Sequence, residues 1–129
     1  MLNVDIVSGE RRLFQGSASA VTARSVEGEL GILAGHTPML VALSSGPLRV
    51  VTAEGEQRVF AIHRGFLECR DDEVNVLADG GEAAEDIDVA RAEAARERAL
   101  AHLTNIDYPG DARYELDRAE TRLAVAGAS

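Results

Sequence analysis

The sequence contains no lysine, since all thirteen of its basic residues are arginine. This absence excludes the chemistries that need a side-chain amine, namely a lysine nucleophile, a Schiff base and the lysine of a phosphate-binding loop. A single cysteine, Cys69, excludes an internal disulfide and a thiolate metal site, so the composition fits a reducing compartment. We expect Cys69 to be an ordinary small apolar residue of a strand.

Long hydrophobic runs are also missing. No apolar run is long enough to cross a bilayer. The residues after Met1 also lack the basic segment and following apolar segment that are typical of an export leader. We therefore expect a soluble chain that is not exported and whose only route to a membrane is a partner. The net charge of −9 argues against a nucleic-acid binder, because phosphates would be repelled rather than matched by a basic surface.

The first 79 residues have the pattern of short β-strands separated by turns. Leu2, Val4 and Ile6 alternate with polar residues, which is typical of a half-buried strand. Further strands are predicted near residues 12 to 15, 18 to 24, 29 to 33, 47 to 52, 57 to 62, 65 to 70 and 73 to 78. Many short strands with frequent turn signals, among them Gly16, indicate an antiparallel sandwich or barrel.

After residue 81 the composition changes to that of helices, rich in alanine, arginine and glutamate. Asp86 or Asp88 is the predicted N-cap of a first helix, and apolar residues recur at spacings of three and four in two segments. The predicted stripes are Val89, Ala92, Ala95, Ala99 and Leu103, and then Ala112, Leu116, Ala119, Leu123 and Ala126. Because Pro109 and Gly110 lie between them, the two helices are predicted to fold back as an antiparallel hairpin.

The run from Glu27 to Leu40 mixes three glycines, a histidine and a proline with apolar residues. Such a mixture prescribes turns at set positions and indicates a structured, shaped surface. The histidines at positions 36, 63 and 102 lie too far apart for a known metal motif, and no serine stands in a nucleophile elbow. The residues therefore predict no metal site and no catalytic centre.

Arginine spacing in the helical half indicates an anion site. Arg91 and Arg98 are seven residues apart on one helix face, and Arg118 and Arg122 are four apart on another. Folding of the hairpin would gather four guanidinium groups, which suit phosphate oxygens, near the backbone amides of a helix start. The competing interpretation is an exposed charge lattice. In that lattice the arginines would pair with Glu93, Glu97, Glu115 and Glu120.

Several motifs resemble those of the epsilon subunits of bacterial F-type ATP synthases. They are Gly-Glu-Leu-Gly-Ile at residues 28–32 with Gly-His at 35–36, Gly-Phe-Leu-Glu at 65–68, and Asp-Asp-Glu-Val-Asn-Val-Leu-Ala at 71–78. Residues 87–92 resemble the Ile/Leu-Asp-x-x-Arg-Ala motif of members that bind ATP. The resemblance covers almost the whole chain. This sequence departs from the family pattern at His63 and Arg64, where small residues are more usual. Its second helix also has fewer basic residues than the same helix of members that strongly inhibit ATP hydrolysis.

The resemblance implies an α+β, mainly β, fold with an antiparallel β-sandwich at residues 1–83 and a regulatory two-helix hairpin at 84–129. It implies a non-catalytic rotor subunit in the central stalk of a proton-translocating ATP synthase. The sandwich would bind the gamma subunit and the proteolipid ring, with Glu29 and His36 at the ring contact. The complex would hold the chain peripherally at the cytoplasmic face of the cell membrane.

The hairpin of such proteins is the regulatory part. Folded on the sandwich it is permissive, and extended into the catalytic alpha/beta head it inhibits ATP hydrolysis. No cofactor is obligatory, and ATP is implied as a regulatory ligand of the folded form. Its site, carried over by motif, comprises Glu82, Ile87, Asp88, Arg91, Ala92, Arg98, Arg118 and Arg122. The alternative hypothesis is a free-standing ATP-sensing binding module.

Overall fold

The computed structural model describes residues 1–128, so Ser129, the last residue of the predicted hairpin domain, lies outside the described residues. Within residues 1–128 the chain forms nine β-strands, a short 3-10 helix and two α-helices. The strands are β1 (Leu2–Ser8), β2 (Arg11–Ser25), β3 (Gly28–Leu33), β4 (Met39–Leu43), β5 (Gly46–Thr52), β6 (Gln57–Ile62), β7 (Gly65–Arg70), β8 (Glu73–Ala78) and β9 (Gly81–Ala83). The 3-10 helix is Ala84–Asp86, and the α-helices are α1 (Val89–Leu103) and α2 (Ala112–Ala128).

The strands form one continuous hydrogen-bonded sheet that folds over itself into a sandwich. Its order is β1-β8-β7-β4-β2-β5-β6-β9, with β3 attached to β2 and a further pairing between β1 and β2. The long β2 makes the sandwich possible, because its first part pairs with β1 and its second part with β3 and β5. The described pairs are antiparallel, as predicted, except for β1 and β8, which run parallel.

The core of the sandwich follows the alternation of the strands. Leu2, Val4 and Ile6 of β1 are buried as predicted, and Phe14 packs edge-on against Phe60 with ring centroids 6.0 Å apart. The cluster of buried core residues lies entirely between Leu2 and Ala83, so the sandwich has a hydrophobic core of its own. Cys69 is buried in β7 with a free thiol, as expected. No described helix is long and apolar enough to span a membrane.

Three predictions about the strands were wrong. Gly16 does not end a strand, because it pairs with Val4 inside β2, where the ring of Phe14 lies 3.4 Å from the position that a Cβ would take. The sequence analysis also missed β4 and β9. No strand is predicted between Pro38 and residue 47, yet Met39–Leu43 pairs along its length with β7. These strands exist because distant partners hydrogen-bond them, which local propensity does not report.

The two predicted helices form the expected hairpin. Asp88 is the N-cap of α1, since its Oδ1 accepts a hydrogen bond of 3.1 Å from the backbone N–H of Arg91. Ala92 and Ala99 of α1 are buried, as are Leu116 and Ala119 of α2. The ends of the first predicted stripe, Val89 and Leu103, are each 44% exposed, so the tightly packed part of the seam is shorter than predicted.

The hairpin docks on the sandwich through α2. Val125 is fully buried in a small second cluster with Val59 and Ala61 of β6 and Ala84 of the 3-10 helix. Ile87 packs against this cluster from its edge. Because the cluster is small and rich in alanine, the burial that holds the hairpin in place is modest compared with the core of the sandwich.

Candidate functional site

A cleft of about 380 Å³ lies where β9, the start of α1 and the inner face of α2 meet. Seven of the eight predicted ATP ligands line it: Glu82, Asp88, Arg91, Ala92, Arg98, Arg118 and Arg122. The eighth, Ile87, is not part of the lining and packs instead against the apolar cluster that docks the hairpin. The structure therefore brings together residues that are up to forty positions apart in the sequence.

Three arginines of the cleft form no ion pair with a carboxylate among residues 1–128. Among residues 1–128, the side chains of Arg91 and Arg98 have no hydrogen bond and no ion pair. The guanidinium of Arg118 lies 4.6 Å from the centroid of the Tyr114 ring, and its buried Nε has no hydrogen-bond partner in the described chain. Guanidinium groups without partners at the wall of a cleft are the arrangement that binds anions.

The carboxylates of the same cleft are already engaged. Glu82 accepts a hydrogen bond from Nε of Arg122, and Asp86 forms an ion pair with Arg11 at 3.3 Å. Asp88 caps α1, and Glu115 accepts a hydrogen bond of 2.6 Å from the hydroxyl of Tyr108, which raises the pKa of that tyrosine. The pairs of the competing charge lattice do not form within the described residues. No ion pair joins the four arginines to Glu93, Glu97, Glu115 or Glu120.

Sequence reasoning missed Asp86, Ala95 and Glu115 as residues of the cleft. Helical spacing in the sequence could have placed two of them, Glu115 and Ala95, on the cleft. Glu115 stands three residues before Arg118 and seven before Arg122, and therefore on the same face of α2. Ala95 stands on the face of α1 that already holds Ala92. The pair between Asp86 and Arg11 had no signal, because it joins residues 75 positions apart.

A buried histidine lies directly behind the cleft. His63 is 2% exposed and directly follows β6. Its Nε2 is 3.7 Å from Oε1 of Glu82, the same oxygen that Arg122 holds. Burial, together with the charge of Arg122, lowers the pKa of His63 from 6.5 to about 4, although the nearby Glu82 acts in the opposite direction. His63 is therefore neutral at physiological pH.

Two family models together match nearly the whole chain. Residues 1–84 match the model described as "ATP synthase, Delta/Epsilon chain, beta-sandwich domain". Residues 85–127 match "ATP synthase, Delta/Epsilon chain, long alpha-helix domain". The chain belongs to the ATP synthase delta/epsilon family. The resemblance seen in the sequence motifs is thereby confirmed.

Individual members of the delta/epsilon family are similar over most of their length. The ATP synthase epsilon chain of Chromohalobacter salexigens is 46% identical over 124 residues, which cover 95% of this chain and 84% of that one. The epsilon chain of Streptomyces avermitilis is 39% identical over 127 residues, which cover 98% of this chain and 96% of that one. Among solved structures, the chain is similar to one in the cryo-EM structure of the Euglena gracilis mitochondrial ATP synthase, OSCP/F1/c-ring in rotational state 1. The TM-score is 0.83 and the sequence identity 25%, and the match covers 99% of this chain and 81% of that one.

Family membership makes this delta/epsilon chain a subunit of an ATP synthase and a component of its central stalk. It favours a subunit of a larger complex over a free-standing module. Among residues 1–128, no three histidine, cysteine, aspartate or glutamate side chains are placed to hold a metal ion.

The structure does not bring the two predicted ring-contact residues together. Glu29 is the second residue of β3, where it pairs with Arg24 of β2. His36 lies beyond the other end of β3, half-buried, with its Nδ1 2.6 Å from the carbonyl oxygen of Thr37. The two residues thus lie at opposite ends of one strand. The ring contact remains a prediction for both residues.

Proposed function

We propose that this ATP synthase subunit links a rotating proteolipid ring to the catalytic head and that its hairpin regulates ATP hydrolysis by binding ATP. The sandwich would bind the gamma subunit and the ring of a proton-translocating enzyme. The complex would hold the chain peripherally at the cytoplasmic face of a bacterial membrane. The observation that supports a regulatory hairpin is the cleft of about 380 Å³, which is lined by three arginines without an ion pair in the described part of the chain.

The charges of the cleft support a phosphate chain as the ligand. Glu82 and Asp86 form ion pairs with arginines, and Asp88 and Glu115 accept hydrogen bonds from a backbone N–H and a tyrosine hydroxyl. The arginines of the cleft that remain without an ion pair within residues 1–128 are Arg91, Arg98 and Arg118. Guanidinium groups bind phosphate oxygens in charge-assisted pairs, and the start of α1 adds the positive end of a helix dipole. The volume falls within the range of pockets that hold small molecules. A nucleoside triphosphate matches both the charge and the size.

The position of the cleft supports a regulatory role for the ligand. Its walls come from β9, α1 and α2, so the complete site exists only while the hairpin is docked. A ligand that binds the docked form alone stabilises it by RT ln(1 + [L]/Kd), about 2.7 kcal/mol at a hundredfold excess over Kd. Since modest burial holds the hairpin, a gain of this size is enough to move the equilibrium between docked and extended forms.

Isothermal titration of the isolated chain with ATP tests the site. The parent is expected to bind, and Arg98→Ala to bind roughly tenfold to a hundredfold more weakly, because a charge-assisted phosphate contact is lost. Arg96→Ala is the matched control, since Arg96 lies on the same helix outside the cleft and contacts Glu97 at the surface. Absence of binding heat in the parent, or equal weakening in the two variants, would contradict the ATP site.

An exposed apolar patch on the sandwich supports a protein partner such as the gamma subunit. Phe66 on β7 pairs in register with Leu77 on β8, and Leu40 lies on the neighbouring β4. These side chains are 55%, 63% and 67% exposed. Large apolar side chains clustered on one outer face are typical of a surface that a partner covers.

Removal of the hairpin separates assembly from regulation. Because the sandwich core lies within Leu2–Ala83, a chain cut after Ala83 is expected to fold and to co-purify with gamma as the full chain does. In a reconstituted catalytic head, the cut chain is expected to lose the inhibition of ATP hydrolysis that the full chain exerts. ATPase assays with both forms measure this difference. Equal inhibition by the two forms would rule out a regulatory hairpin.

A further inference from the structure

The imidazole of His63 is enclosed between the sandwich and α2. Its backbone N–H donates to the carbonyl of Gly80 at 2.8 Å, and its carbonyl accepts from the hydroxyl of Tyr114 on α2 at 3.4 Å. The residue is only 2% exposed, yet neither Nδ1 nor Nε2 of its ring has a hydrogen-bond partner within the described residues. A buried polar ring without partners costs free energy, so packing alone does not account for a histidine here.

The charges around this ring disfavour a proton on it. From α2, Arg122 and Arg118 both act against the imidazolium form. From β9, Glu82 would favour that form, but its Oε1 lies 3.7 Å from Nε2 and already accepts a hydrogen bond from Arg122. Desolvation by burial has the largest effect. When α2 leaves, both arginines leave, and so does Tyr114, which contacts His63 from the same helix.

We propose that His63 is a proton-sensitive latch for the hairpin: the docked hairpin requires a neutral His63, and a proton on this ring releases it. The inference rests on the proposed detachment of the hairpin and adds its control by pH. In the released form, the ring is hydrated and faces no α2 arginine. Its affinity for protons then returns to that of an ordinary histidine.

The sign of the effect follows from linkage. The released form binds a proton below pH 6.5, whereas the docked form does so only near pH 4, because burial and Arg122 depress the pKa of His63. Docking is therefore strongest above pH 6.5 and weakens as the pH falls from 6.5 towards 4. Between pH 7.5 and 5, the docking equilibrium constant is expected to fall roughly tenfold to thirtyfold.

This latch acts on the same ion pair as the proposed ligand. A protonated His63 attracts Glu82 away from Arg122. Glu82 and Arg122 both line the cleft. Acidification and loss of nucleotide would then shift the hairpin in the same direction, towards the extended form. In the proposed function, a fall in pH would therefore strengthen the inhibition of ATP hydrolysis.

Hydrogen exchange of the full chain without nucleotide tests the latch. Protection of α2 amides, corrected for the intrinsic exchange rate at each pH, reports docking, because an undocked alanine-rich hairpin is a marginal helix in water. The parent is expected to lose protection roughly tenfold to thirtyfold between pH 7.5 and 5. His102→Gln, a matched control in the hairpin, should behave like the parent, and His63→Gln should show little change. An equal loss in His63→Gln, or none in the parent, overturns the proposal.

Ring titration by NMR provides a second measurement that needs no variant. With ¹³C-labelled histidine, the ring of His63 in the docked parent is expected to titrate well below 6.5, because burial and Arg122 lower its pKa. If His63 titrates near 6.5 while α2 stays protected, the latch is wrong. Neither measurement involves ATP, gamma or the catalytic head. Failure of the latch therefore leaves the proposed function standing, and failure of ATP binding leaves the latch standing.

Discussion

Gly65→Ala is expected to destabilise the sandwich severely. Gly65 begins β7 with φ of +135°, a conformation that residues with side chains rarely adopt. A Cβ at this position would lie 2.2 Å from the carbonyl oxygen of Leu77 and 2.7 Å from Cα of Ala78, both in the backbone of the adjacent β8. Since these atoms belong to a paired strand, they cannot move aside without breaking the sheet. We expect a loss of more than about 4 kcal/mol in the free energy of unfolding.

Urea unfolding followed by circular dichroism measures this loss as a fall in the transition midpoint. Gly31→Ala is the matched control, because Gly31 also lies in a strand but has an ordinary φ, and no neighbouring atom lies within 4 Å of the position that a Cβ would take. Its stability should stay within about 0.5 kcal/mol of the parent. A folded Gly65→Ala chain with a midpoint close to that of Gly31→Ala would contradict the steric explanation.

Val125→Asp is expected to release the hairpin while the sandwich stays folded. Val125 is fully buried against Val59 and Ala61, and no cation or hydrogen-bond donor among the side chains of that cluster could satisfy a carboxylate. Burial of an unpaired charge costs on the order of 3–5 kcal/mol. The other contacts of α2 with the sandwich that are described above, Arg122 with Glu82 and Tyr114 with His63, are polar, and we expect them to be too weak to offset this cost. Because the core between Leu2 and Ala83 does not include Val125, the sandwich should be unaffected.

Ala124→Asp provides the matched control on the same helix, since Ala124 is exposed and the charge change is identical. Hydrogen exchange is expected to show lost protection of α2 in Val125→Asp and normal protection in Ala124→Asp, with the strands protected in both. If the hairpin regulates hydrolysis as proposed, Val125→Asp should inhibit the catalytic head more strongly than the parent, even with ATP present. Protected α2 amides in Val125→Asp would show that other contacts hold the hairpin.

Much of the fold could be predicted because apolar residues recur with a different period in each half of the chain. Alternation in β1 and the three-four spacing around Ala92 and Leu116 are local signals, and both give the correct element. The missed strand β4 has no such signal, since its identity depends on pairing with β7. Gly16 was misjudged for a related reason. A glycine that accommodates a neighbouring ring looks the same in the sequence as a glycine that makes a turn.

The cleft was partly predictable on the same grounds. Helical spacing placed Arg91 with Arg98 and Arg118 with Arg122, and the structure brings both pairs into one cleft. Spacing could not show which arginines are free. That depends on Glu82 meeting Arg122 and Asp86 meeting Arg11, contacts between elements far apart in the sequence. The role proposed for His63 lies beyond sequence reasoning for the same reason, because the groups that enclose it come from β9 and α2.

The parallel pairing of β1 with β8 has a consequence for how the chain is made on the ribosome. Asn3 pairs with Glu73, so the first strand to be synthesised can pair with β2 early but must wait for about seventy more residues before its parallel neighbour β8 exists. Contacts of such high sequence separation form slowly, whereas the hairpin needs contacts only within its own last forty or so residues. The hairpin emerges last and finds its docking face on β6 already complete. We therefore expect the hairpin to be added to a finished sandwich, and a delay in its docking to leave a sandwich that is already folded.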